Sequence, residues 1–126
     1  MLEKDLHIMV CNWLRTKHPN ILFRSDFSSG MKMSIGMAKR NRSLQSSRAY
    51  PDLFIIEQRK GYSGMFIELK TKENMVFKKD GGLKANPHHQ EQYEMLIKLQ
   101  LRGFHAVFGH GYNETIQMID EYLDGD

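Results

Sequence analysis

Asp52, Glu68 and Lys70 bring two carboxylates and an ammonium into a short stretch of chain, with fifteen residues between the two acids. Two convergent carboxylates offer the hard oxygen ligands that Mg²⁺ takes, and a neighbouring ammonium can orient a water or meet developing negative charge. Convergence needs a scaffold. The apolar run Leu53 to Ile56, the turn-forming stretch Arg59 to Gly64 and the returning run Met65 to Lys70 read as a hairpin, the first strand covered on both faces. With the turn centred near Gly61, facing positions sum to about 122, which sets Asp52 opposite Lys70 and diagonal to Glu68. All three numbers are even, so an even register without a bulge projects them from one face. The same spacing also fits a strand whose polar face is wet, with Lys70 an ordinary partner of Asp52.

Further along, Asn86 caps and Pro87 opens a predicted helix that runs to about Arg102 and stops at Gly103. Tyr93, Met95, Leu96 and Leu99 form its apolar face, and Gln92 lies on that face three and four residues before Met95 and Leu96. A buried amide needs partners, and a charged site at the sheet edge supplies them. Gln90 is the second choice, and a partly exposed first-turn Gln92 is the plainer alternative.

Other chemistry-bearing residues carry less. His88 and His89 are adjacent rather than four apart, so they cannot face one metal from a helix and read as touching solvent or phosphate. His105 and His110 flank a predicted strand with no carboxylate at a recognisable interval, and read as structural. Cys11 reads as packed rather than reactive, and a lone cysteine forms neither an internal disulfide nor a cysteine-based zinc site. Gly109-His110-Gly111 is too short for a phosphate loop. Met31, Met33 and Met37 have approximate helical spacing and read as packing.

Charge is distributed unevenly behind a net of +3. No Lys or Arg follows Arg102, where five acids gather (Glu114, Asp120, Glu121, Asp124, Asp126). From Met31 to Arg48 there are Lys32, Lys39, Arg40, Arg42 and Arg48 and no acid. Such a segment attracts a polyanion, because phosphate contacts release condensed counterions; it also fits a solvated basic loop.

These residues depend on the elements around them. Leu2, Leu6, Met9, Val10, Trp13 and Leu14 predict a first helix over residues 2–17, and Ile21 to Arg24 a short strand. Asp26 to Arg48 reads as a basic loop holding a short helix, and Thr71 to Ala85 as a connection turning at Asp80-Gly81-Gly82. Phe104 to Phe108 reads as a strand and Thr115 to Leu123 as a helix behind an Asn113 cap. The expected architecture is α/β, a mixed central sheet flanked by helices, in one domain over residues 1–126. No run approaches the ~18 apolar residues of a membrane span, and the charged N-terminus is unlike a signal peptide, so a soluble, unexported protein is expected.

Pro51-Asp52, fifteen residues, then Glu68-Leu69-Lys70 in IELK resembles the PD-(D/E)XK nuclease signature. The continuation EQYEMLIKLQLRGFHAVFGHGYNETIQMIDEYL and the opening EKDLHIMVCNWL resemble the VRR-NUC branch of that superfamily, in its small stand-alone phage and bacterial form. The resemblance implies a restriction-endonuclease-like core and a Mg-dependent endonuclease. In it, Asp52, Glu68 and the Leu69 carbonyl bind Mg²⁺ or Mn²⁺, Lys70 acts on the attacking water, and Gln92 steadies Lys70 or the water. Glu3 falls where the superfamily often places an acid on its first helix. The resemblance further implies DNA, duplex or branched, including four-way junctions, as partner, a homodimer, and a bacterial or phage-infected cytoplasm. Symmetric cutting of two strands asks for two sites related by a two-fold axis, and the segment Met31 to Tyr50 offers a dimer contact through Met31, Met33, Ile35 and Met37. The alternative is a non-catalytic nucleic-acid-binding module of a DNA-processing complex, or a subunit whose basic patch is incidental.

Overall fold

The computed structural model describes residues 1–26 and 32–125. Met31 of the proposed dimer contact and Asp126 of the acidic tail lie outside them. Four strands order as β1 (Phe23–Ser25), β2 (Leu53–Ile55), β3 (Met65–Lys70) and β4 (His105–His110). The first three pair antiparallel, and β4 runs parallel to β3. A parallel neighbour needs a crossover, and α3 (Pro87–Gln100) provides it.

Alternation along the strands decides which helix covers which face. Leu53, Ile55, Met65, Ile67 and Leu69 are buried against α1 (Glu3–Lys17) and α4 (Tyr112–Leu123), with Leu6, Val10, Leu14, Ile119 and Tyr122. The opposite face packs Ala106 and Phe108 against Met95, Leu96 and Leu99 of α3, with Val76. Each such buried side chain contributes roughly 1.5–3 kcal/mol, so these two clusters hold the sheet in register. Asp52, Glu68 and Lys70 fall on the α3 face, at the end of β2 and β3 where that apolar layer stops.

The strand ladder differs from the expected one. Leu53 pairs with Ile67 and Ile55 with Met65, a sum of 120 rather than 122. Glu68 is therefore level with Asp52, and Lys70 is the diagonal neighbour; the shared face survives because the sum stays even. The tip explains the shift. Lys60 and Gly61 both have positive φ, at 56° and 83°, and Arg59 and Tyr62 exchange backbone bonds of 3.3 and 2.8 Å around them, a type I′ turn. Three residues (56–58) join β2 to this turn and two (63–64) lead out of it, so the incoming arm carries one extra residue. Gly64 has no room for a side chain here: a Cβ would stand 2.8 Å from Phe54 Cε1.

Several element ends also moved. Leu2 and Met9 are exposed, so the buried stripe of α1 is Leu6, His7, Val10 and Leu14. Ile56 lies beyond β2 and is exposed, and Tyr93 faces outward from α3. Asn86 caps α3 as expected, its Oδ1 accepting from the N–H groups of His88 and His89 at 2.9 and 3.4 Å. α4 starts three residues before Thr115, behind Gly111 rather than Asn113, because Gly111 donates to the Lys70 carbonyl at 2.7 Å and turns the chain there. The short helix in the basic segment is α2 (Ile35–Ser43), capped by Ser34 Oγ, which accepts from Met37 N–H at 3.2 Å; none of its residues is buried. Among the described residues, no helix is long and apolar enough to cross a membrane.

Candidate active site

Four ionisable or polar side chains are buried together where the apolar layer ends. Asp52, Glu68, Lys70 and Gln92 are only 6, 4, 3 and 6% exposed, so the polar strand face is not wet. Burying ionic groups is costly unless they are paired and hydrogen-bonded, and here Asp52, Glu68 and Gln92 are tied together by hydrogen bonds. Asp52 N–H donates to Glu68 Oε2 at 3.2 Å, and Leu69 N–H donates to Asp52 Oδ2 at 2.8 Å. Gln92 Nε2 donates to Glu68 Oε1 in a short bond. In an extended strand, the N–H and C=O of one residue point to the same edge, so the Leu69 carbonyl faces the edge where Asp52 stands.

The electrostatics follow from this crowding. Burial raises the Glu68 carboxyl well above the ordinary carboxylate range; the Asp52 charge pushes the same way, while Lys70 opposes it. A site that disfavours its own second negative charge is one a cation relieves. Gln92 Oε1 is buried without a hydrogen-bond partner among the described residues, leaving an acceptor for a water at this spot. Oxygen donors from two carboxylates, an open amide acceptor and a strained charge balance together fit a divalent cation.

α1 adds two further groups. Glu3 and His7 sit four residues apart on its first two turns, and one ligand atom each of Glu3, His7 and Asp52 lie within 4.8 Å of one another. The His7 ring spans Ser25 Oγ, 3.2 Å from Nδ1, and Asp52 Oδ2, 3.5 Å from Nε2. His7 escaped the sequence reading. Its signal was the four-residue interval from Glu3 to His7, with His7 itself set between the buried positions Leu6 and Val10.

A cleft of about 320 Å³ opens onto the carboxylates, lined by Glu3, Asp26, Asp52, Glu68, His88 and Gln92 and, on its other wall, by Asn41, Arg42, Gln45 and residues 47–50. Of the five basic candidates, Arg42 and Arg48 border this cleft, while Lys32, Lys39 and Arg40 are exposed and do not. Arg48 is engaged in a two-pronged ion pair with Glu91 of α3, at 3.2 and 3.1 Å. Gln90 is exposed, which leaves Gln92 as the inward amide.

The remaining histidines divide. His88 is exposed at the cleft, whereas His89 is buried, contrary to the solvent contact expected of the pair; burial and then Lys70 hold its pKa below the ordinary histidine value. His110 is tied by Nε2 to Val76 N–H at 3.4 Å and by Nδ1 to Glu114 at 3.3 Å, and His105 stacks on Tyr122. Cys11 packs against the α1/α4 core, where burial raises its thiol pKa.

A four-stranded mixed sheet flanked by helices, with an acid opening β2 and an Glu-x-Lys pair closing β3, defines a restriction-endonuclease-like α/β domain. A solved structure described as a "VRR_NUC domain protein" is similar over 98% of this chain and 88% of its own, at 26% identity and a TM-score of 0.64. That likeness supports assigning this chain to the VRR-NUC family, and it suggests a nuclease-type function. No protein-family model and no curated protein matches the chain.

Proposed function

We propose that this chain is a metal-dependent endonuclease that hydrolyses phosphodiester bonds in DNA, with residues 1–126 acting as one nuclease domain. The observation that carries this reading is the burial of Asp52, Glu68, Lys70 and Gln92 at one sheet end, under a cleft bordered by Arg42 and Arg48. Asp52, Glu68 and the Leu69 carbonyl would hold Mg²⁺ or Mn²⁺, with Glu3 close by. When bound, such an ion supplies Lewis-acid stabilisation of phosphate charge and makes a nucleophilic water available near neutral pH.

Lys70 presents its ammonium on the same face, where it aims the attacking water and meets charge gathering on phosphorus. Gln92 holds Glu68 through its amide N–H and offers Oε1 to that water. The water oxygen bonds to phosphorus and releases a proton to solvent as the bond to the 3′ oxygen breaks, and the leaving oxygen takes a proton from solvent, giving a 3′ hydroxyl and a 5′ phosphate. Arg42 and Arg48 take flanking phosphates, with Lys32, Lys39 and Arg40 on the outer approach.

Two finer features belong to the same reading. Ile35, Met37 and Leu44 are exposed along the α2 segment, a surface suited to a second copy, and a C2 dimer would present two sites to a branched or four-way junction substrate. The setting is a bacterial or phage-infected cytoplasm. A specific observation also favours a second reading, a binding module without catalysis: the Asp52, Glu68 and Leu69 bonds already tie the strand ends together. Labelled linear, flapped and junction DNA incubated with Mg²⁺, Mn²⁺ or EDTA separates them. Cleavage that requires a divalent ion is expected; binding without cleavage under every condition would leave the second reading.

A further inference from the structure

We propose that His89 is a positioning residue for Lys70: its Nδ1 and Gln92 Oε1 together hold one buried water, and that water accepts a hydrogen bond from the Lys70 ammonium. The inference rests on the nuclease reading above and deepens it by naming what aims Lys70 from behind the cleft.

Placement is the first support. Gln92 touches Glu68 through its amide. α3 is the crossover between the parallel strands β3 and β4, so it runs opposite to β3. One turn back along α3 from Gln92, about 4.5 Å, stands His89, and two residues on along β3, about 6.6 Å, stands Lys70. The helix step and the strand step lead the same way, so His89 comes over Lys70 as Gln92 comes over Glu68. His89 and Lys70 are both buried, at 4 and 3% exposure. After burial itself, the Lys70 charge is the largest influence holding the His89 pKa below the ordinary histidine value, and the adjoining Gln92 amide pushes the other way.

Unmet bonding is the second. His89 Nδ1 and Gln92 Oε1 are buried with no hydrogen-bond partner among the described residues. Such atoms are few in folded proteins, and a buried water with several polar neighbours commonly satisfies them. The two residues are three apart on one helix face, so their polar atoms share a space. A water there donates one O–H to Nδ1 of the neutral ring and the other to Oε1, and accepts from one N–H of the ammonium. Oε1 keeps its second lone pair for the attacking water.

The consequence falls on Lys70. A lysine carries its charge on a flexible four-carbon stem, so the charge needs a fixed partner to be aimed. Glu68 attracts the ammonium from one side. The water holds it from the α3 side and leaves two N–H groups for the cleft.

The test uses the full chain, metal-free for the water and with Mg²⁺ for turnover. Water-to-protein nuclear Overhauser spectra are expected to show a long-lived water at His89 Hε1 and at the Gln92 side-chain amide in the wild type. The amide signal is expected to persist in His89→Asn, whose Oδ1 replaces the Nδ1 acceptor, and to vanish in His89→Leu. His89→Leu is expected to lower kcat about tenfold with KM within about twofold, and His89→Asn to keep most of the turnover. A side chain that only fills space gives the reverse order, since leucine packs where asparagine leaves a buried amide. No long-lived water in the wild type, or wild-type kcat in a folded His89→Leu, overturns this inference and leaves the nuclease reading standing. A wild-type chain that cuts no DNA with Mg²⁺ or Mn²⁺ overturns the nuclease reading and, with it, the positioning role. The wild-type spectrum decides the water even where His89→Leu fails to fold.

Discussion

Asp52 and Glu68 are joined through backbone as well as facing each other: Asp52 N–H donates to Glu68 Oε2, and Asp52 Oδ2 accepts from Leu69 N–H, next door to Glu68. Each acid therefore holds the strand that carries the other. The pair is placed before any ion arrives, and the cost is two carboxylates crowded in a buried space.

Asp52→Asn, Glu68→Gln and Lys70→Ala should each lower cleavage by about 10²-fold or more while leaving the far-ultraviolet circular dichroism of a folded protein, since loss of one preorganised charged group at a reacting phosphate is worth that much. Wild-type turnover in any one of them removes that residue from the site.

Glu68 also sets a pH dependence. Its folded carboxyl titrates well above the ordinary value of 4.5, so the folded state binds more protons than the unfolded one as pH rises above that value. Metal-free stability should therefore be greatest in acid and fall with rising pH until Glu68 ionises in the fold. Glu68→Gln should flatten that fall and raise the metal-free melting temperature near neutral pH, while abolishing the stabilisation that a saturating divalent ion gives the wild type. Equal pH slopes for the two proteins in EDTA would contradict this.

Arg40 and Arg42 lie about 200° apart around α2, and only Arg42 borders the cleft. Arg42→Ala should reduce the slope of log affinity against log salt by about 0.9, one phosphate contact on duplex DNA, and Arg40→Ala should reduce it by less. A larger loss from Arg40 would place the nucleic acid on the outer face of α2.

Glu91 occupies Arg48 through both guanidinium nitrogens, on a surface where such a pair contributes only about 0–1 kcal/mol. Glu91→Gln should leave the melting temperature within a few degrees and tighten DNA binding severalfold by releasing Arg48 to phosphate. Unchanged affinity, measured by fluorescence anisotropy at low salt, would mean that Arg48 makes no phosphate contact.

Light scattering at micromolar concentration should give about twice the chain mass of 14.8 kDa, and Met33→Glu with Met37→Glu should reduce it to one chain and weaken junction cleavage. A wild-type monomer that still makes paired, symmetric nicks in a four-way junction would separate the active site from any dimer.

Much of this was legible because the signals are local. Asn86-Pro87 announces the start of α3 through an acceptor for free N–H groups and a ring with none to give, and the alternation in MFIELK announces β3. The candidate residues Asp52, Glu68, Lys70 and Gln92 came together because even spacing along a strand and three-residue spacing along a helix survive small errors of register. What escaped depends on tertiary placement. The hairpin tip carries an extra residue that no turn rule reveals, and a bond from Gly111 to Lys70 overrode the Asn113 cap. His7 reads in sequence as one more polar helix residue; only the seating of α1 across the sheet end turns it toward Asp52.

The extra residue in the hairpin arm has a consequence for which changes of length the domain tolerates. A tight I′ turn alone has odd parity here and would set Asp52 level with Leu69, on opposite faces of the sheet. Leu53, Ile55, Met65 and Ile67 demand even parity, and four buried aliphatic or thioether side chains at roughly 1.5–3 kcal/mol each outweigh any preference of one turn. Residues 56–58 absorb the conflict. Deleting Gln58 should thus force the turn open and lower stability without parting the two carboxylates. The alignment of the pair is guarded by oily side chains on the far face, which no substrate ever meets.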